Sequence, residues 1–302
     1  MKKIAVLVFI MIVSGTVVLA EMIKGSGIND FTPMEYFQEQ ITEEMRISRG
    51  GQLYDNWWKT TVDIRRPEGE HPLWKAQTSN KRTGYSTYRC KECHGWDYRG
   101  KDGAYNSGSH YTGFQGVYVS SQKMTVKELI AVLKGSTDKD HDFSGFLSED
   151  DMSDLAMFLK KGTIDLTELI NTEGLPSRGD IAAGKNFYAL NCMTECHGKK
   201  GMAINFKSEE KPEYLGTIAN KNPWEFIHKV RAGQPGTRMS AGIIDKWSTN
   251  DLLNLLAYAR TLPKEKPQPG WLEKIKISLG MGKEQKSVIV EETRGFGPKL
   301  QQ

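Results

Sequence analysis

Four cysteines occur in this 302-residue chain. They fall in two close pairs, each followed directly by a histidine: Cys90 and Cys93 with His94 in CKECHG, and Cys192 and Cys196 with His197 in CMTECHG. The first cluster has the C-x-x-C-H spacing of covalent haem attachment. Two thiols a helical turn apart can each add across a vinyl group of one porphyrin, while the adjacent imidazole reaches the iron from the proximal side. Taken alone, such a pair could also bind zinc or cycle as a redox dithiol. The second cluster has three residues between its thiols rather than two. Positions three and four apart share a helix face, so this spacing still presents both sulfurs to one ring if the intervening loop bulges. A Cys192–Cys196 disulfide, or a haem held by a single thioether, are the alternatives. Two covalently bound haem c groups, with iron, are the expected cofactors.

The flanks of the second cluster carry a family pattern. GKNFYALN, from Gly184 to Asn191, supplies an amphipathic helix entering the motif. GQPGTRMSAG follows, with Met239 in a Gly-Pro loop, and then STNDLLNLLAYARTLP, from Ser248 to Pro263, with a good N-cap and a good stop. This arrangement resembles the class I cytochromes c. There a Gly-x-x-x-Tyr helix leads into the haem motif, a Met ligand follows, and a C-terminal helix packs across the first. The resemblance implies an all-α fold of two tandem cytochrome c domains, each wrapped around a covalently bound haem, and gives Met239 the sixth-ligand role opposite His197. His228, in NPWEFIHKV, is expected to be packed or on the surface rather than on the iron.

An internal repeat locates the remaining ligand. KELIAVLKG (Lys127 to Gly135) resembles WEFIHKVRAG (Trp224 to Gly233), and LSEDDMSDLAMFLKKG (Leu147 to Gly162) resembles WSTNDLLNLLAYARTL. Six residues past Gly233 stands Met239, and six past Gly135 stands His141. His141 is therefore the expected distal ligand of the first haem, with His110 its main rival. His71, followed by Pro72, is expected to be exposed. RGGQLYDNWW matches the helix entering the second motif, with Gly50 and Tyr54 where the second half has Gly184 and Tyr188. An insertion at about 59–89 then precedes Cys90, and is expected to wrap the haem edge. Its aromatic residues and their neighbours, Trp57, Trp58, Trp74, Tyr85, Tyr88, Trp96 and Tyr98, suit haem packing.

The elements that must position these residues divide the chain. Lys2 and Lys3 precede an apolar run from Ile4 to Leu19 that closes on Ala20, the pattern of a secretory signal peptide over 1–20; an uncleaved anchor is the alternative. The N-terminal haem domain is placed at 21–165, a linker at 166–180, the C-terminal haem domain at 181–264 and a polar tail at 265–302. One helix is expected near 36–47 and a short basic amphipathic helix over 271–283. The formal charge of +4 includes Lys2 and Lys3, so the chain after Ala20 carries +2. Such a balance gives no basic surface for nucleic acid. The expected function is electron transfer in a periplasmic-type compartment, as a carrier or an electron-transfer subunit, between a redox protein donor and acceptor, with a membrane respiratory complex among the candidate partners. A di-haem oxidoreductase such as a peroxidase, or a thiosulfate dehydrogenase-like enzyme, is the alternative. A catalytic haem needs an open iron position, and that enzyme family's thiolate ligand would need a cysteine free of haem attachment.

Overall fold

In the computed structural model, residues 41–61, 66–265 and 288–289 are described. The expected leader and the expected helix over 271–283 lie outside them. The chain is helical, and the described residues from Glu44 onward cluster into one compact body. Helix α1 spans Glu43–Asn56; of the helix expected near 36–47, residues 36–40 lie outside the described residues and 43–47 belong to α1. The short α2, Cys90–His94, carries the first motif, and α3 (Tyr118–Lys123), α4 (Val126–Leu133) and α5 (Glu149–Met157) follow. The second half repeats the pattern with α6 (Ile181–Tyr188), α7 (Leu215–Lys221), α8 (Pro223–Ala232) and α9 (Thr249–Ala259). Among the described residues the only sheet is a parallel pair of two-residue strands, β1 (Ile204–Asn205) and β2 (Val288–Ile289), with Ile204 opposite Val288.

The repeat is visible at the level of single atoms. Ser148 and Asp151 form a capping box at the start of α5, and Ser248 and Asp251 form the same box at the start of α9. Each pair satisfies amides at the helix entrance that would otherwise lack partners. In the first half α1 crosses α5, where a Cβ added at Gly50 would overlap the Asp154 carbonyl oxygen. In the second half α6 crosses α9, where a Cβ at Gly184 would overlap the Asn254 carbonyl oxygen. Glycine at both positions allows backbone-to-backbone approach, and aromatic pairs close each crossing. Tyr54 meets Phe158 at 5.9 Å between ring centroids, and Tyr188 meets Tyr258 at 5.3 Å.

The two halves share one hydrophobic core, which includes Leu53, Trp57, Leu155 and Phe158 from the first and Tyr188, Phe226, Leu252 and Leu256 from the second. Each such aliphatic or aromatic side chain contributes about 1.5–3 kcal/mol on burial. Polar contacts between α1 and α8 complete the junction. Ser48 Oγ and Gln52 Nε2 donate to the Ala232 carbonyl at 2.9 and 3.0 Å. Asp55, fully buried, pairs with Lys229 at 2.7 Å and with Arg89. Burial opposes the Asp55 charge, but Lys229 and Arg89 outweigh it and hold the carboxyl well below the usual carboxylate range. The segment expected to be a polar linker is itself packed, since Leu166 and Ile170 are buried and Arg260 donates to the Gly174 carbonyl at 2.9 Å.

Candidate functional site

The two motifs are held in the same way by different turns. After α2, Gly95 (φ +75°) ends the helix with its amide on the Lys91 carbonyl at 3.0 Å, an i to i−4 bond. The second motif lies on a π-helical turn, Ala189–His197, and Gly198 (φ +68°) bonds the Met193 carbonyl at 2.9 Å, an i to i−5 bond. The wider turn absorbs the one extra residue between Cys192 and Cys196, and the chain leaves both motifs through an equivalent glycine. In each half the helix that enters the motif supplies a tyrosine to that glycine. Tyr54 Oη donates to the Gly95 carbonyl at 2.6 Å, and Tyr188 Oη donates to the Gly198 carbonyl at 2.6 Å.

The first motif opens on a cavity of about 130 Å³. It brings together Cys90, Cys93, His94 and His141, walled by apolar side chains that include Val117, Leu129, Leu133, Phe143 and Leu155. His94 Nδ1 donates to the Gln115 carbonyl at 2.7 Å, which leaves Nε2 with its lone pair for a metal. The rings of His94 and His141 are 6.3 Å apart between centroids. An ion held by two imidazole nitrogens at about 2.0–2.1 Å each would separate the centroids by about 6.3 Å. Burial pushes the His94 imidazole down to about 4 and lowers His141 as well, so both are neutral donors at physiological pH. Burial also raises the Cys90 thiol to about 12 and raises the Cys93 thiol, so both stand as neutral thiols against the apolar wall. These residues fit a covalently held haem: two thiols for attachment, and two neutral imidazoles at the separation of an axial pair.

No family model, curated protein or solved structure matches the chain.

The second set is assembled less completely. His197 is 8 % exposed, lies 6.1 Å from the Phe206 ring, and keeps a buried Nδ1 with no partner among the described residues. Burial lowers its pKa and raises the Cys192 thiol to about 12. Met239 is half-buried against the common core, in the loop between α8 and α9, and its amide donates to Thr237 Oγ1 at 3.2 Å. Neither His197 nor Met239 lines the first cavity. Among the described residues no cluster of three or more His, Cys, Asp or Glu has metal-site geometry; an axial pair is smaller than such a cluster.

Three histidines take places that merit correction or detail. His71 was expected to be exposed but is 7 % exposed and lines the first cavity, because it caps the 3-10 turn Pro72–Ala76 and its ring is enclosed by Tyr88 and Phe143. His110, the rival ligand, is exposed and lies outside that cavity, its ring 5.8 Å from Tyr105. His228 is buried at the junction of the halves, where Nε2 donates to the Gly51 carbonyl at 3.0 Å and Nδ1 accepts from Tyr98 Oη at 2.9 Å. Of the aromatic residues expected around a haem, Tyr88 lines the cavity, while Trp57, Trp58, Trp74, Trp96 and Tyr98 are buried elsewhere and Tyr85 is half-buried.

Proposed function

We propose that the chain is a di-haem c-type cytochrome of two cytochrome c-like halves, and that it transfers electrons between redox proteins in an exported compartment. The observation that carries this reading is the first cavity, in which two thiols and two neutral imidazoles converge with His94 and His141 at 6.3 Å. Support for a second site of the same kind comes from the repeated tyrosine-to-glycine bond at 2.6 Å and from the π-helical turn that accommodates the longer spacing. Cys90 and Cys93 would hold one haem with His94 and His141 as its axial donors, and Cys192 and Cys196 the other with His197 and Met239. Haem c supplies reversible one-electron chemistry at its iron. The residues of the chain would hold it: the thiols would fix its edge, the Gln115 carbonyl orients His94, and the apolar wall would exclude water.

A carrier is favoured over a catalyst because His141 lies in the same cavity as His94, 6.3 Å away between ring centroids, so a bound iron would have a donor from each of the two imidazoles. No helix among the described residues is long and apolar enough to cross a membrane. The test is a reductive titration of the mature protein followed by addition of peroxide or thiosulfate. Two electrons taken up reversibly per chain, without turnover of either compound, support the carrier. Catalytic turnover of either would transfer the assignment to an oxidoreductase.

A further inference from the structure

The first cavity contains a third imidazole that the axial pair does not use. His71 is 7 % exposed, lines the cavity, and lies 6.2 Å from His141 between ring centroids. Distance alone does not separate it from His94, but the position of its proton does. An amide N–H can only donate, so the Leu73 amide, 3.2 Å from His71 Nδ1, makes that nitrogen the acceptor and places the ring proton on Nε2. His94 and His141 have the opposite arrangement. Their Nδ1 atoms lie 2.7 and 3.4 Å from the carbonyl oxygens of Gln115 and Val132, which can only accept, so Nε2 keeps its lone pair. His71 offers the cavity an N–H donor, where the other two offer electron pairs.

The remaining side-chain hydroxyls and the guanidinium around the cavity are already engaged. Thr87 donates to the Gly84 carbonyl at 2.8 Å, Ser120 to Val117 at 3.1 Å and Tyr54 to Gly95 at 2.6 Å, while Arg89 donates to the Asp55 carbonyl at 2.6 Å and pairs with its carboxylate. Among the described residues, His71 Nε2 and the Tyr88 hydroxyl have no hydrogen-bond partner. The two side chains are neighbours, with ring centroids 4.8 Å apart in an edge-to-face arrangement. The insertion fixes them together, because the His71 amide donates at 2.8 Å to Thr87 Oγ1, one residue before Tyr88. Haem brings two carboxylates, and an anion beside an apolar wall requires donors.

We propose that the His71 Nε2–H and the Tyr88 hydroxyl together bind one carboxylate of the haem in the first cavity. This assignment rests on the haem reading above, and it gives the insertion, which the second half lacks, a specific task.

The test uses the full, haem-loaded chain and the variants His71→Phe, Tyr88→Phe and His71→Gln. The mass of the Cys90–His94 peptide after digestion of the wild type first establishes whether Cys90 and Cys93 carry haem, and its absence there would overturn both the haem reading and this site. With haem present, His71→Phe and Tyr88→Phe should leave the first haem low-spin and six-coordinate. Its midpoint potential should fall, because a carboxylate stripped of donors stabilises ferric iron, and the propionate bending band in resonance Raman should move. His71→Gln, which keeps an N–H donor, should return both readouts toward wild type. Unchanged potential and unchanged band in Tyr88→Phe and His71→Phe would overturn the proposal. A high-spin or carbon monoxide-binding first haem in His71→Phe would overturn it as well, by making His71 an axial ligand.

Discussion

His141 and Met239 occupy matching positions, each six residues beyond a left-handed glycine, Gly135 (φ +74°) and Gly233 (φ +83°). The chemical difference between them sets the expected difference between the sites. Imidazole is the stronger donor and favours ferric iron, while a thioether favours ferrous iron, so on the proposed di-haem reading the two haems should titrate roughly 100 mV or more apart, the first at lower potential. His141→Ala should open the first iron to carbon monoxide and leave the second haem unchanged. Met239→Ala should abolish the weak far-red charge-transfer band of the oxidised protein. A low-spin, six-coordinate first haem in His141→Ala, or a retained band in Met239→Ala, would assign these roles to other side chains. The two cysteine–histidine clusters are legible in the sequence because thiol and imidazole chemistry imposes a fixed local spacing. His71 is not, because a histidine before proline in an insertion reads as a surface loop. Its burial arises from rings distant in sequence, Phe143 above all, closing over it.

Each half is built on a helix crossing that depends on one glycine. Gly184→Ala places a methyl group against the Asn254 carbonyl oxygen and beside Tyr258. Overpacking of this kind costs about 1–3 kcal/mol, so the urea midpoint should fall while the denaturant slope stays constant; an unchanged midpoint would show that α6 and α9 are not held by close backbone approach. Gly50→Ala should act in the same direction against Asp154. These crossings can be read from the repeat, since Gly50 and Gly184 stand at matching places, and Ser248 announces the start of α9. The π-helical turn is only partly legible. The cysteine spacing calls for an extra residue to be absorbed, but an apolar pattern does not distinguish a wider turn from a bulged loop. The Gly198 to Met193 hydrogen bond makes that distinction in the structure.

The halves are joined by a buried polar junction between α1 and α8, and its charges set how the whole molecule responds to mutation and pH. Asp55→Ala would leave the Arg89 and Lys229 charges unpaired and should cost about 3–5 kcal/mol in denaturant titration; a loss near zero would mean that this junction is not held by the ion pairs. Burial pushes the His228 imidazole down to about 3. The unfolded chain, with an imidazole value of about 6.5, takes up that proton first as pH falls. The contribution of neutral His228 is therefore complete above about pH 6.5 and is lost progressively below it, at up to about 1.4 kcal/mol per pH unit. His228→Gln should flatten the pH dependence of stability between about pH 6.5 and 4.5 by that one-proton slope, and an identical slope in the variant would contradict the buried, neutral assignment. The long-range partners of His228, Gly51 and Tyr98, lie far from it in the chain, and no local pattern around Trp224 and Ile227 reveals them. The central claim is that both halves carry covalent haem, and the mass of the intact, denatured protein tests it most directly. The account predicts an increment of two haems per chain, with no free or disulfide-bonded thiol at Cys90, Cys93, Cys192 or Cys196. An increment of one haem, with Cys192 and Cys196 free or joined as a disulfide, would contradict it.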